Sequence, residues 1–407
     1  MNCFTDKIPI TKDNLGGWVE INLDALAHNF LQVRNLLEDK CKILAVVKAD
    51  AYGHGLEMVA RELVAQGADM LGVTTLLEGI RLREVGIGTP ILLLSGTFNS
   101  IPEVISYNLT PVVYDYDNAK AVSAAGLAAQ QRVKVHVKVD TGMGRLGCMY
   151  DEAIETIPRI AELPGLEVGG IMTHFAEAEV PHSSYTQWQM DRFRHLLHSL
   201  GQKGLRFPLI HAANSAAILN VPGSSFDMVR PGLILYGALP DPALSSKLPD
   251  ESGNYKTNLQ PVMSFKARII SLKHLDSGCS LSYNRTYITC QPSLIAAIPV
   301  GYAEGFSRSL SNCGQVLVSS ERTGFRRANV VGRVCMDISL LDVTHLPQTK
   351  PGDEVLLFGQ SGEHRLPVEE IAVKAGTIPY ELLCLAGRQV PRLYYKQGRL
   401  VKVQLPI

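Results

Sequence analysis

Val133-Lys-Val-His-Val-Lys-Val-Asp140 alternates strictly, with valine at every odd position and Lys134, His136, Lys138 and Asp140 at the even ones. A period of two is the signature of a β-strand, whose successive side chains point to opposite faces. Taken alone, the run fits an edge strand with one solvated face. It equally fits a barrel strand whose valines meet surrounding helices while the polar residues line the lumen. Its neighbours along the chain favour the barrel. Apolar strand-like runs recur at 42–50, 70–75, 90–96, 110–115, 133–140, 168–175, 209–215 and 227–237, and the stretches 56–65, 118–130, 151–162 and 187–200 carry the apolar spacing of amphipathic helices. Eight alternations of strand and helix are the layout of a (β/α)8 barrel, although an open doubly wound sheet shares the alternation. The barrel is the better reading because chemistry-bearing residues fall at the ends of several strands, not at one switch point.

After Tyr236 the texture changes. Residues 238–258 carry proline, serine and lysine in the manner of an exposed linker, and from Val262 short β-patterned runs dominate, at 265–272, 294–300, 315–318, 329–334, 354–358 and 400–403. The expected organisation is therefore a barrel over 1–245 and a β-rich domain over 246–407. A chain of 407 residues that is 46% hydrophobic and 19% charged has ample material for two cores. Lys plus Arg and Asp plus Glu balance at 39 each, which leaves no net field to attract nucleic acid or an anionic membrane and points to small polar metabolites as partners. The amino-terminal segment has no run of signal-peptide character, and no later apolar run approaches the roughly 18 residues of a membrane span, so a cytoplasmic location is expected. Eight cysteines without a CxxC pair read as reduced packing residues, with no metal site.

The first apolar run leads into Ala45-Val-Val-Lys48-Ala-Asp-Ala-Tyr52-Gly-His-Gly55, which sets a lysine at the mouth of a buried strand. Most lysines at strand ends are solvated. A reactive amine needs burial or neighbouring positive charge to lower its pKa, and an apolar strand can supply the burial. The fifth run continues into Thr141-Gly-Met-Gly-Arg145, where glycines permit a tight path to an always-charged, forked donor. Runs six to eight end in Thr173-His174-Phe-Ala, His211-Ala-Ala-Asn214-Ser215 and Val229-Arg230-Pro-Gly232-Leu233. A lone histidine at a strand end is more often structural than catalytic, but several polar sites at one barrel mouth are harder to dismiss. Small residues with backbone amides nearby, as around Ser215 and Gly232, suit the close approach of a phosphate.

The Lys48 string closely resembles the pyridoxal-phosphate lysine motif of the alanine racemases, and Lys138-Val-Asp-Thr-Gly-Met-Gly-Arg145 is similar to a second motif of that family. Further motifs agree in order from Gly17 to Arg392. The resemblance implies that Lys48 carries pyridoxal 5'-phosphate as a Schiff base and serves as one catalytic base. It implies that Tyr52, Asn214, Ser215, Gly232 and Leu233 hold the phosphate, that Arg230 faces the pyridine nitrogen with His211 behind it, and that His174 lies near the ring. Arg145 would contact the ring oxygen and the substrate carboxylate, and Lys138 is the lysine carbamylated in many members. An arginine beside the ring nitrogen makes the cofactor a weaker electron sink, which favours returning a proton to Cα over transamination. The match makes Tyr283 the second base, Tyr302 a wall of the entrance and Met336 a backbone contact to the substrate carboxylate. In the family these come from the partner subunit, implying a head-to-tail homodimer with shared active sites. The sequence departs from the pattern in Glu304, where aspartate is commoner, and in Arg388, aligned with a position where some members place a phosphate-binding tyrosine. The implied activity is interconversion of L- and D-alanine by two-base proton transfer at Cα. A broader racemase acting on serine as well, a decarboxylase on the same barrel and a non-catalytic pyridoxal-phosphate-binding protein are the alternatives.

Overall fold

The computed structural model describes residues 12–96, 100–241, 258–319 and 324–406. These divide into two compact units: one is Leu26–Leu259, and the other joins the described residues up to Ala25 with those from Gln260 onward.

The Leu26–Leu259 unit is the expected barrel. Eight parallel strands follow one path, Lys42–Val46, Met70–Val73, Ile91–Leu93, Thr110–Val113, Val133–Asp140, Leu166–Met172, Ile210–His211 and Met228–Val229, with the last pairing back onto the first. The seventh and eighth are joined by Asp227 N to Ile210 O at 3.0 Å and Arg230 N to Ala213 O at 2.9 Å, which closes the ring. The runs expected at 209–215 and 227–237 yield only two-residue strands. Asn214 caps the helix Ser215–Asn220, its side chain accepting from Ala217 N, and Leu233–Tyr236 forms a tight 3-10 turn, so the chain leaves extended backbone early. Between strands run the helices Leu56–Ala65, Leu76–Glu84, Tyr116–Ala128, Tyr150–Ala161 and Ser184–Gln202.

The alternation of the fifth strand acts as expected from His136 onward. His136, Lys138 and Asp140 are buried, whereas Lys134, at the strand's amino end, is exposed and pairs with Glu167. A register shift against the sixth strand falls between Val135 and His136. Its cause is local. A Cβ on Gly170 would lie 2.8 Å from His136 Nδ1, so only glycine leaves room for the imidazole inside the barrel.

The second unit is strand-rich, as expected, with a mostly antiparallel sheet. The first described strand, Gly17–Asn22, was expected within the barrel region but belongs here, pairing antiparallel with Met263–Arg268 and parallel with Arg392–Lys396. Trp18, Val19 and Ile21 are fully buried in this sheet's core. Its neighbour Lys266 is almost completely buried and meets Glu20 at 2.9 Å and Glu354 at 3.0 Å, so a buried cation is compensated from both flanking strands. The expected domain junction at 245/246 lies outside the described residues. Among the described residues no helix is long and apolar enough to cross a membrane, no group of ligands could hold a metal, and no cysteine is in a disulfide.

Candidate active site

The lysine at the end of the first strand sits immediately before an unusual turn. Ala49, Asp50, Ala51 and Tyr52 all adopt left-handed backbone, with φ of 55, 52, 55 and 53°. For L-residues this costs about 1–2 kcal/mol each, so the turn needs specific support. Ala51 N donates to Val47 O at 2.9 Å, Gly53 N to Ala49 O at 3.0 Å and Gly55 N to Asp50 O at 2.8 Å. Glu78, which closes a capping box with Thr75, also accepts from Asp50 N at 3.3 Å, and the Asp50 carboxylate accepts from Leu56 N at 2.9 Å. The turn leaves Lys48 half-buried and folds Tyr52 back toward the eighth strand. There the Tyr52 ring packs on Tyr236, centroids 4.8 Å apart, and its hydroxyl lies where a Cβ on Gly232 would be, 2.5 Å away.

That hydroxyl borders a buried cluster of backbone donors. Ser215 Oγ accepts from Gly232 N at 2.9 Å, so the Gly232 amide itself is engaged. The amides of Ser215, Ala216 and Leu233, all buried, find no acceptor among the described residues. Buried N–H groups normally have partners. Orphaned amides beside a tyrosine hydroxyl, at a glycine a Cβ would fill, are what a phosphate group would satisfy.

Arg230 is buried at the floor of the same mouth. Its guanidinium donates to Thr173 O at 2.8 Å, Ala212 O at 2.9 Å, His211 Nδ1 at 3.0 Å and His174 Nδ1 at 3.2 Å. Because arginine only donates, His211 accepts from Nη1 through Nδ1 and carries its proton on Nε2, while the two Nη2 protons are shared among Thr173 O, Ala212 O and His174 Nδ1. His211 Nε2 then donates to His136 Nδ1 at 2.8 Å, placing the His136 proton on Nε2, an atom without a partner among the described residues. Burial keeps all three imidazoles neutral, reinforced by Lys134 and Arg230 at His136 and by Arg230 at the other two: His136 is pushed down to about 3, and His174 and His211 well below the ordinary histidine value. Burial also lowers Arg230, to about 9, and no carboxylate pairs with it among the described residues.

The fifth strand supplies two more cations. Lys138 is buried, and burial together with Arg145 and Arg230 brings its amine down to about 8. Two residues on, burial works against the Asp140 carboxylate, yet it accepts from Gly142 N (2.9 Å), Gly144 N (3.1 Å) and Arg145 N (2.9 Å), and these bonds win, holding it below the usual carboxylate range. The glycine loop is thus wound around Asp140, with the exposed Arg145 side chain at its end.

Lys48, Tyr52, Lys138, Arg145, His174, His211, Asn214, Ser215, Arg230, Gly232 and Leu233 therefore all lie in the barrel unit, following strands one, five, six, seven and eight or within them. Tyr283, Tyr302 and Met336 belong to the other unit and are exposed. There three segments meet: Ser282 Oγ donates to Arg333 O at 2.7 Å, Tyr302 N to Cys335 O at 3.1 Å and Ala303 N to Met336 O at 3.0 Å. Glu304, the variant position, accepts from Gly301 N at 2.8 Å and closes its own loop. Arg388 is also in that unit, exposed, with Nε on Cys384 O at 3.2 Å. Sequence reasoning missed Glu78 and Tyr236 as supports of the Lys48 turn; the Thr75-x-x-Glu78 spacing was the available signal for the first.

Family models of the alanine racemase N-terminal domain and C-terminal domain match residues 21–240 and 262–394. The alanine racemase of Desulforamulus reducens is 45% identical over 379 residues, spanning 93% of this chain and 98% of that protein. Among solved structures, alanine racemase of Clostridium difficile 630 superposes with a TM-score of 0.86 at 36% identity, over 96% of this chain and 99% of that one. An alanine racemase from Bartonella henselae with covalently bound pyridoxal phosphate gives a TM-score of 0.80 at 28% identity, over 93% and 99%. The two family models and these relatives span nearly the whole chain, barrel and strand-rich unit alike, and the protein belongs to the alanine racemase family.

Proposed function

We propose that this chain interconverts L- and D-alanine with pyridoxal 5'-phosphate as cofactor. The observation that carries the reading is a lysine at the first strand's end, facing the same barrel mouth as a buried, carboxylate-free arginine and a cluster of acceptor-less amides. The residues fit the cofactor. Lys48 would hold it covalently, Tyr52, Ser215 and the amides around Leu233 would take its phosphate, with Asn214 and Gly232 shaping that cradle, and Arg230 and His174 would border its ring. When bound, the cofactor supplies delocalisation for the electron pair left at Cα when its proton departs.

The chain's own groups do the rest. Arg145 orients the amino acid by its carboxylate, joined by the backbone near Met336, and Tyr302 narrows the entrance. Lys48 removes or returns the Cα proton on one face and Tyr283 on the other, since inversion needs a base on each side. Arg230, with its histidine acceptors neutral, would present a donor to the cofactor's ring nitrogen and would disfavour protonation there. The buried Lys138 amine, partly neutral near pH 8, adds to carbon dioxide: its lone pair forms the N–C bond, one proton leaves, and the resulting carbamate carries negative charge beside Arg145. The working assembly is a homodimer in which Tyr283, Tyr302 and Met336 come from the partner chain.

Borohydride reduction of the cofactor-loaded protein followed by peptide mapping tests the reading, with the label expected on Lys48. Lys48→Ala should abolish racemisation and the yellow adduct together. Tyr283→Phe should abolish interconversion while exchange of the α-hydrogen of D-alanine with solvent persists. A stable, active adduct on another lysine refutes the assignment.

A further inference from the structure

The helix Ser184–Gln202 packs beside the fifth and sixth strand ends, and the residues it presents there are 185, 188 and 189, the spacing of one helical face. Tyr185 donates its hydroxyl to Gly142 O at 2.7 Å, and its ring packs on Trp188 with centroids 5.1 Å apart. Gly142, at φ +145°, lies flat against this face: a Cβ there would be 2.7 Å from the Trp188 ring and 2.9 Å from the Tyr185 hydroxyl. Gln189 is fully buried, although glutamine usually is not. Its carboxamide accepts from Ala176 N at 2.9 Å and donates to His174 O at 3.1 Å, with a longer contact to Thr141 Oγ1 at 3.4 Å. Thr141 in turn shares a 2.7 Å hydrogen bond with Thr173, whose carbonyl receives Arg230.

We infer that Gln189 and Tyr185 are positioning residues that hold the Gly142–Arg145 loop in register with the strand end carrying His174. Neither acts on the substrate itself. The loop has two anchors: Asp140 binds its amides from within, and this helix face binds Thr141 and the Gly142 carbonyl from outside. With the Asp140 anchor alone, the loop keeps its turn but loses its placement against the sixth strand. The group that then moves is Arg145, at the loop's end. The inference rests on the reading of Arg145 as the carboxylate contact, so its effect belongs in KM for the amino acid more than in kcat.

Tyr185→Phe keeps the ring and its packing on Trp188 and removes one hydrogen bond. KM for alanine should rise about fivefold, the worth of one such bond, with kcat within about twofold and the melting temperature and cofactor spectrum unchanged. Gln189→Glu keeps an acceptor for Ala176 N but sets a carboxylate against the His174 carbonyl, and KM should rise more, about tenfold or above. The deciding measurement is a cycle with Arg145→Lys, which by itself should raise KM. Tyr185→Phe should add nothing in that background, because the group it places is gone. An unchanged KM for Tyr185→Phe, or an equal rise with and without Arg145, overturns the inference while leaving the reading of Arg145 intact. An unchanged KM for Arg145→Lys alone overturns that reading and the inference with it.

Discussion

Gly232→Ala adds one methyl group at the point where the phosphate cradle is tightest. The new Cβ would lie 2.5 Å from the Tyr52 hydroxyl and 3.1 Å from its Cζ, and ordinary contact begins at 3.4 Å, so the hydroxyl must retreat by the difference, 3.4 − 2.5 = 0.9 Å. Tyr236, whose ring lies tilted against that of Tyr52 with centroids 4.8 Å apart, limits how the Tyr52 ring can yield. Overpacking of this kind costs about 1–3 kcal/mol. A hydroxyl drawn away from a phosphate forfeits a charge-assisted hydrogen bond worth about 1.5–3 kcal/mol. The cofactor's dissociation constant should therefore rise about 10- to 100-fold. Titration of apoprotein with pyridoxal phosphate, followed by absorbance, measures it directly. Tyr52→Phe should weaken binding by a similar factor for a different reason, since it removes the hydroxyl. The double variant separates clash from coincidence: without the hydroxyl, the nearest atom is Cζ at 3.1 Å, which needs to give only a few tenths of an ångström. Gly232→Ala should then cost almost nothing further, so the coupling approaches the full single-variant effect, about 1.4–2.7 kcal/mol. Strictly additive effects, or an unchanged dissociation constant for Gly232→Ala, would refute the assignment of this cradle to the phosphate.

Lys138, brought down to about 8, is about one-tenth neutral at pH 7; with 13C-labelled bicarbonate a carbamate resonance should appear and be absent in Lys138→Ala, and its absence from the wild type sinks the carbamylation proposal. His136, His174 and His211 are neutral in the fold, so below pH 6.5 the unfolded chain binds protons that the native state does not, and stability must fall with pH by at most about 1.4 kcal/mol per unit for each histidine. The urea midpoint should drop between pH 6.5 and 5, with a shallower slope in His136→Asn; a flat profile contradicts the neutral assignment. Mixed dimers of Lys48→Ala and Tyr283→Phe chains, purified through two tags, should regain about half of wild-type activity, because one of two shared sites is intact; inactive mixed dimers rule out sharing.

The barrel was legible because each strand ends where an apolar run meets glycine, proline or a polar cluster, and those signals are local. What stayed hidden depends on partners far along the chain. Gly17–Asn22 announces a strand, but nothing within it says that its neighbours are Met263–Arg268 and Arg392–Lys396. Gly53 and Gly55 mark a turn after Lys48, whereas the left-handed run begins four residues earlier, at Ala49, which has no such preference, and is held in part by Glu78. The alternation of the fifth strand put His136 inward correctly. That it would meet His211, 75 residues away, and leave room for it through Gly170 was invisible. Gln189 looked like any polar residue on a helix until its burial was seen.

The histidines explain why the arginine at the floor of the site keeps its charge available. A carboxylate next to Arg230 would neutralise it, and a protonated imidazole would repel it. The structure supplies two carbonyl oxygens and two imidazole nitrogens, all neutral acceptors, with His211 held in its tautomer by His136 behind it. Even lowered to about 9, the guanidinium is about 99% protonated at pH 7. Its field reaches the barrel mouth, where it adds to burial and Arg145 in depressing the Lys138 amine and resists protonation of any ring nitrogen brought against it. A buried cation solvated only by neutral dipoles is costly. That cost falls on stability throughout the range below about pH 9, and the three imidazoles add a separate loss in mild acid, where they gain protons on unfolding. A fold that kept Arg230 only for packing would have no reason to bear it, since a neutral side chain of similar size could fill the same space without the penalty.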